Sequence, residues 1–122
     1  MTKLLLADDS ELIRSRLAGL LKDNPGAKEV ATADSLKQTL RAVSRFLPDL
    51  VILDLNFPDG NAISIIPLLR RMAPRMRIAV LTNDVNPYVV ERCRQAGADW
   101  CFDKSTEFEK ALALAQDQAM AH

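Results

Sequence analysis

The chain has 122 residues, 48% hydrophobic and 26% charged, and its Lys and Arg balance its Asp and Glu for a formal net charge of zero. This is the length of one domain, spanning 1–122, that can bury a core without disulfides or a structural metal. The charge balance excludes a dominant nucleic-acid surface, and the lack of a long apolar run or signal-peptide pattern after Met-Thr-Lys points to a cytoplasmic chain without direct nucleic-acid or membrane partners.

Residues 3–7 form an apolar run that predicts a strand. Ile13, Leu17, Leu20 and Leu21 then share one helical face. A second run covers 30–33, followed by a helix pattern at Leu36, Leu40, Val43 and Leu47. The third run, 50–53, ends on Asp54 and the turn-rich Leu-Asn-Phe-Pro-Asp-Gly. Ile65, Ile66, Leu69 and Met72 repeat the helical spacing, with Pro67 expected to delay or kink that helix. A fourth run covers 78–81. Asn86-Pro87 reads as an N-cap with proline at the first helical position, and Val89, Val90 and Cys93 mark the apolar side of that helix. The fifth run, 100–102, precedes Thr106-Glu107-Phe108-Glu109, which reads as a capping box. The tail Ala-Gln-Asp-Gln-Ala-Met-Ala-His is expected to fray. Cys93 and Cys101 match no metal spacing and read as reduced thiols, and Trp100 reads as a packing aromatic at the sheet edge.

Five strand–helix alternations predict a parallel sheet with helices on both faces. In such a sheet, chemistry gathers at the carboxyl edge of the strands. The first strand is followed by Asp8 and Asp9, the third by Asp54, the fourth by Thr82 and the fifth by Asp103 and Lys104. The second contributes nothing comparable, as expected of a peripheral strand. Clustered carboxylates repel and raise one another's pKa unless a cation sits among them. Oxygen-only donors suit a hard ion such as Mg²⁺, which commonly takes one or two carboxylates together with a phosphate. A carboxylate can act as nucleophile and become an aspartyl-phosphate. A lysine and a hydroxyl beside it would bind phosphoryl oxygens. The cluster therefore reads as an acyl-phosphate site.

The ordered set Leu-Leu-Leu-Ala-Asp-Asp-Ser, Leu-Val-Ile-Leu-Asp-Leu-Asn-Phe-Pro-Asp-Gly, Ile-Ala-Val-Leu-Thr-Asn-Asp and Gly-Ala-Asp-Trp-Cys-Phe-Asp-Lys-Ser resembles the receiver domain of two-component response regulators, of the chemotaxis-regulator kind. The resemblance covers essentially the whole chain. It implies an α/β, flavodoxin-like doubly wound sheet of five parallel strands in the order 2-1-3-4-5 with five helices. It implies Asp54 as phosphoacceptor, Asp9 as direct Mg²⁺ ligand, Asp8 as holder of a metal-bound water, and the backbone carbonyl of Asn56 as a further ligand. Thr82 would be the switch hydroxyl and Lys104 the lysine that meets the phosphoryl group. The donor would be a phosphohistidine of a histidine kinase or histidine phosphotransfer protein. Catalysis would extend to the chain's own phosphorylation and dephosphorylation, with no separate small-molecule substrate. Output would run through the surface of the fourth helix, fifth strand and fifth helix to a protein partner, or into a phosphorylation-dependent homodimer.

Four positions depart from the family pattern. The strand residue three before the lysine, often an aromatic switch, is Cys101. The residue after the lysine, usually a cis proline, is Ser105. Ala62 stands where glycine is common, and Asn83 where a small residue follows the threonine. Two other readings compete. A degenerate receiver would bind partners without phosphorylation, but such members tend to lose one of the acid, threonine or lysine positions. An aspartyl-phosphate phosphohydrolase usually carries a second acid two residues past its nucleophile, where this chain has Asn56, and a cap for which no residues remain. The short segment after the last helix favours a stand-alone regulator.

Overall fold

The computed structural model describes residues 2–22 and 28–120. Its five-stranded sheet comprises β1 (Thr2–Ala7), β2 (Lys28–Ala33), β3 (Leu50–Leu53), β6 (Arg77–Thr82) and β7 (Trp100–Asp103) in the order β2-β1-β3-β6-β7, with every neighbouring pair parallel. The two-residue strands β4 (Asn56–Phe57) and β5 (Gly60–Asn61) form a separate antiparallel ladder. The helices are α1 (Glu11–Lys22), α2 (Leu36–Phe46), α3 (Ile66–Met72), α4 (Pro87–Ala96) and α5 (Phe108–Met120). This is the flavodoxin-like α/β fold expected of the sequence.

Strand side chains alternate, so each strand feeds two cores. Leu4, Leu6, Leu50, Ile52, Ala79 and Leu81 pack with Leu17 of α1 and with Phe108, Ala111 and Ala115 of α5. Leu5, Val51, Leu53, Ile78 and Val80 face the other way, toward Leu36 and Val43 of α2, Ile66 and Leu69 of α3, and Cys93 of α4. All four residues of β3 are buried because helices cover both faces of this central strand.

The helix starts follow local chemistry. Ser35 accepts from Gln38 N and Asn86 from Val89 N, the latter with Pro87 in the first turn as expected. A single 3₁₀ turn at Ala62–Ser64 precedes α3, and Pro67 lies in the first turn of that helix, so the proline delays it rather than kinking it. Gly97 closes α4 at φ 120, a conformation that favours glycine.

Two expectations need correction. Leu47 does not continue the buried face of α2: it is the left-handed C-cap, φ 50, and 60% exposed. The following Pro48 disfavours right-handed helix at Leu47 and ends α2 at Phe46. In place of the expected 106–109 capping box, Glu107 reaches back to Asp103: its Oε1 accepts from Asp103 N at 3.0 Å and Asp103 O accepts from Glu107 N at 2.7 Å. The tail expected to fray begins at Ala115. That residue is buried and α5 runs on to Met120, while Ala121 and His122 lie outside the described residues. The side chains of Leu20 and Leu21 also lie outside them. Among the described residues no helix is long and apolar enough to cross a membrane.

Candidate functional site

The sheet order reverses between β1 and β3, and the crevice above that switch point is where open α/β sheets gather ligands. Asp8 and Asp54 follow these two strands. Asp8 N donates to Ala33 O at 3.0 Å and Asp54 N to Ala7 O at 2.8 Å, so each backbone continues its ladder by one rung and fixes its side chain at the edge. Asp8 and Asp54 are 4% and 6% exposed. Asp8, Asp9 and Asp54 each bring an oxygen within 4.8 Å of the others.

Lys104 enters from β7, two strands from β3. That span is roughly 10 Å, within reach of an extended lysine. Its Nζ lies 2.7 Å from Asp8 Oδ2 and 3.1 Å from Asp54 Oδ2. The remaining oxygens are also held: Asp8 Oδ1 accepts from Ser10 N at 2.8 Å and Asp54 Oδ1 from Leu55 N at 2.7 Å. Burial pushes the Asp54 carboxyl above its ordinary value; the Lys104 charge opposes this and Asp8 reinforces it. Burial pulls Lys104 down, but its hydrogen bond to Asp8 and the two carboxylate charges outweigh that and hold the ammonium above its ordinary value. One buried cation thus serves two buried carboxylates, as the cost of burying charge requires.

Thr82 is fully buried at the end of β6, and its Oγ1 accepts from Asp84 N at 3.3 Å within its own loop. Lys104 N donates to Thr82 O at 2.9 Å, joining the loops after β6 and β7. Asn56 stands in the β4–β5 ladder opposite Asn61. Asp103 is not a member of the acid group formed by Asp8, Asp9 and Asp54, and its Oδ1 accepts from Ser105 N at 2.8 Å. No peptide bond among the described residues is cis, so Lys104–Ser105 is trans.

Cys101 does not share the carboxyl edge. It lies opposite Val80 and packs toward α4 with the buried Cys93. Both thiols are free, and burial pushes Cys93 up to about 12, with Cys101 adding to the shift. A hollow of about 150 Å³ lined by Val90, Arg94, Ala98, Asp99, Trp100 and Cys101 opens there. Trp100 packs on the opposite core, under the Arg77 guanidinium.

Sequence reasoning missed Asp59. Its two oxygens accept from Leu36 N at 2.8 Å and Lys37 N at 3.1 Å, so the loop after Asp54 caps α2. Beside it Gly60 has φ 141, and a Cβ there would sit 3.0 Å from Leu36 Cδ1. Arg14 was missed as well; its guanidinium donates to the Asp8 carbonyl. The turn-forming Pro-Asp-Gly was legible, but nothing in the sequence pairs it with a helix start more than twenty residues earlier.

The model of the response regulator receiver domain matches residues 4–116. The chain belongs to this family. Among curated relatives, the transcriptional activator DevR/DosR of Mycobacterium tuberculosis is 35% identical over 83 residues, covering 68% of this chain and 38% of its own length. GacA of Pseudomonas aeruginosa is 28% identical, covering 92% of this chain and 52% of its own length. The chain thus spans about half of these relatives or less. A Burkholderia pseudomallei response regulator, solved with a phosphorylated aspartic acid, a calcium ion and citrate, superposes with TM-score 0.85 at 25% identity, over 99% of this chain and 70% of that one. Vibrio cholerae CheY4 gives TM-score 0.83 at 26% identity, over 96% of this receiver and 98% of that chain. The group Asp8, Asp9 and Asp54 offers only hard oxygen donors, which fits a receiver metal site.

Proposed function

We propose that this receiver is a phosphoacceptor in which Asp54 takes a phosphoryl group, in a Mg²⁺-dependent reaction, from a phosphohistidine of a sensor kinase or phosphotransfer protein. The observation that carries this reading is the placement of Asp54, a buried carboxylate held by the Leu55 amide on one oxygen and the Lys104 ammonium on the other. These contacts orient the carboxylate toward a donor and limit its rotation. A carboxylate oxygen bonds to phosphorus while the phosphorus–nitrogen bond to the donor imidazole breaks, and the electron pair leaves on nitrogen.

Asp8, Asp9, Asp54 and the Asn56 carbonyl would hold the metal, whose charge when bound offsets that of the phosphoryl oxygens. Lys104 already stands beside the attacking group and would pair with one phosphoryl oxygen. Thr82 would exchange its contact with the Asp84 amide for another. Hydrolysis of the acyl phosphate by water returns the carboxylate.

The switch would alter the surface formed by α4, β7 and α5, and through it the binding of a protein partner or a second copy. The setting is cytoplasmic. Incubation with acetyl phosphate and Mg²⁺, followed by intact mass and peptide mapping, tests the reading. Wild type gains one phosphoryl group at Asp54 and Asp54→Asn gains none. Undiminished labelling of Asp54→Asn removes the assignment, and an unlabelled wild type leaves a phosphorylation-independent interaction module.

A further inference from the structure

The loops after β6 and β7 border the site, and they are tied twice. The inner tie is the backbone bond from Lys104 N to Thr82 O at 2.9 Å. The outer tie is made by side chains: Ser105 Oγ donates to Asn83 Oδ1 at 3.1 Å, and both residues are exposed. Ser105 is itself fixed by its amide bond to Asp103 Oδ1 at 2.8 Å. Asn83 adjoins Thr82 and Ser105 adjoins Lys104, so the outer tie joins the chain neighbours of two residues of the site. A small residue and a proline, common at these positions in receivers, could not form it.

We propose that Asn83 and Ser105 form a latch over the entrance to Asp54, slowing both the approach of a phosphodonor and the entry of the water that hydrolyses the aspartyl-phosphate. This rests on the phosphoacceptor reading of Asp54. Only 6% of Asp54 is exposed, and in this proposal the loops bordering it part to admit a reacting molecule. Parting them costs the outer hydrogen bond. The same opening serves both reactions. In the first, a phosphoryl group passes from the donor to Asp54. In the second, a water oxygen bonds to phosphorus, the bond from phosphorus to the Asp54 oxygen breaks with its electron pair left on the carboxylate, the water gives up a proton to solvent, and inorganic phosphate leaves.

The test compares wild type with Ser105→Ala, Asn83→Ala, the double variant and Ser105→Thr. Two rates are measured with Mg²⁺: labelling by acetyl phosphate, and loss of label after the donor is removed. Loss of one exposed hydrogen bond should raise both rates roughly two- to tenfold in each single alanine variant. The double variant should match the larger single effect, and Ser105→Thr, which keeps the hydroxyl, should stay near wild type. Unchanged rates in the single variants, or a double variant equal to the product of the two, would overturn the latch. So would faster labelling without faster hydrolysis. If wild type takes no phosphoryl group, the acceptor reading fails, and amide hydrogen exchange then decides the tie. Faster exchange in both 82–85 and 104–106 of Ser105→Ala supports it, and unchanged exchange overturns it.

Discussion

Asp8 and Asp54, 46 residues apart in the chain, share one ammonium: Lys104 Nζ lies 2.7 Å from the first and 3.1 Å from the second. All three side chains are at most 11% exposed. The lysine therefore does the neutralising that a bound cation would otherwise do. Lys104→Met should destabilise the metal-free protein by about 3 kcal/mol, because it leaves two buried carboxylates facing one another. It should also enlarge the stabilisation given by Mg²⁺, since the ion then relieves more repulsion. Urea unfolding with and without Mg²⁺ measures both. A variant as stable as wild type in the absence of metal would contradict this account of the pair.

Asp9 is the exposed member of the acid group. A ligand bound only by the folded state stabilises it by mass action. Millimolar Mg²⁺ should raise the Tm of wild type by a few degrees, roughly the response of a domain this size to about 1 kcal/mol. Asp9→Ala should abolish that rise while leaving the metal-free Tm nearly unchanged. An equal response in wild type and Asp9→Ala would place the ion elsewhere.

The five sheet strands were legible because both faces of the sheet are covered, and the resulting apolar runs, such as Leu50–Leu53, read plainly in the sequence. The site was legible because parallel strands bring Asp8, Asp54 and Lys104 to one edge whatever the details of packing. What was not legible depended on long-range partners. Leu47 fits the helical spacing, yet Pro48 governs its backbone. Glu107 reaches back to Asp103, where the capping pattern suggested Thr106 and Glu109. The two-residue ladder of Asn56–Phe57 with Gly60–Asn61 is too short to leave a periodic signal.

Asp59 supplies a pH dependence whose sign can be fixed. Its hydrogen bond from the Leu36 amide, with that from Lys37, holds its pKa below the ordinary aspartate value of 3.8. A depressed carboxylate contributes stability that is fully present above the unfolded value and is lost as pH falls through the folded one. Wild type should therefore be more stable than Asp59→Asn at neutral pH, and the gap should close below 3.8. Chemical denaturation of both proteins across this range checks it. A gap that persists unchanged at low pH would mean that the charge of Asp59 has no part in the cap.

The proposed switch predicts different effects of substitution at Thr82 and at Cys101. Under the proposed phosphorylation, Asp54 would gain charge and strong acceptor oxygens, and the Thr82 hydroxyl, now bonded to the Asp84 amide at 3.3 Å, would exchange that contact for one of them. Cys101 lies on the α4 side of the sheet beside Cys93, where a thiol displaces far less volume than the aromatic ring common in receivers. A ligand shifts a two-state equilibrium only by its differential interaction with the two states, and a side chain of nearly constant environment offers little difference. The shift should then travel from Thr82 into residues 83–86 and the start of α4. Thr82→Ala should weaken phosphorylation-dependent partner binding or dimerisation by about tenfold, near 1.4 kcal/mol. Cys101→Ala should change it less than twofold, once stability is matched. Both variants can be compared by sedimentation or titration with and without phosphoryl group on Asp54. If Cys101→Ala uncouples the output as fully as Thr82→Ala, the cysteine moves with the switch, and the small residue at this position carries the signal that the ring carries elsewhere.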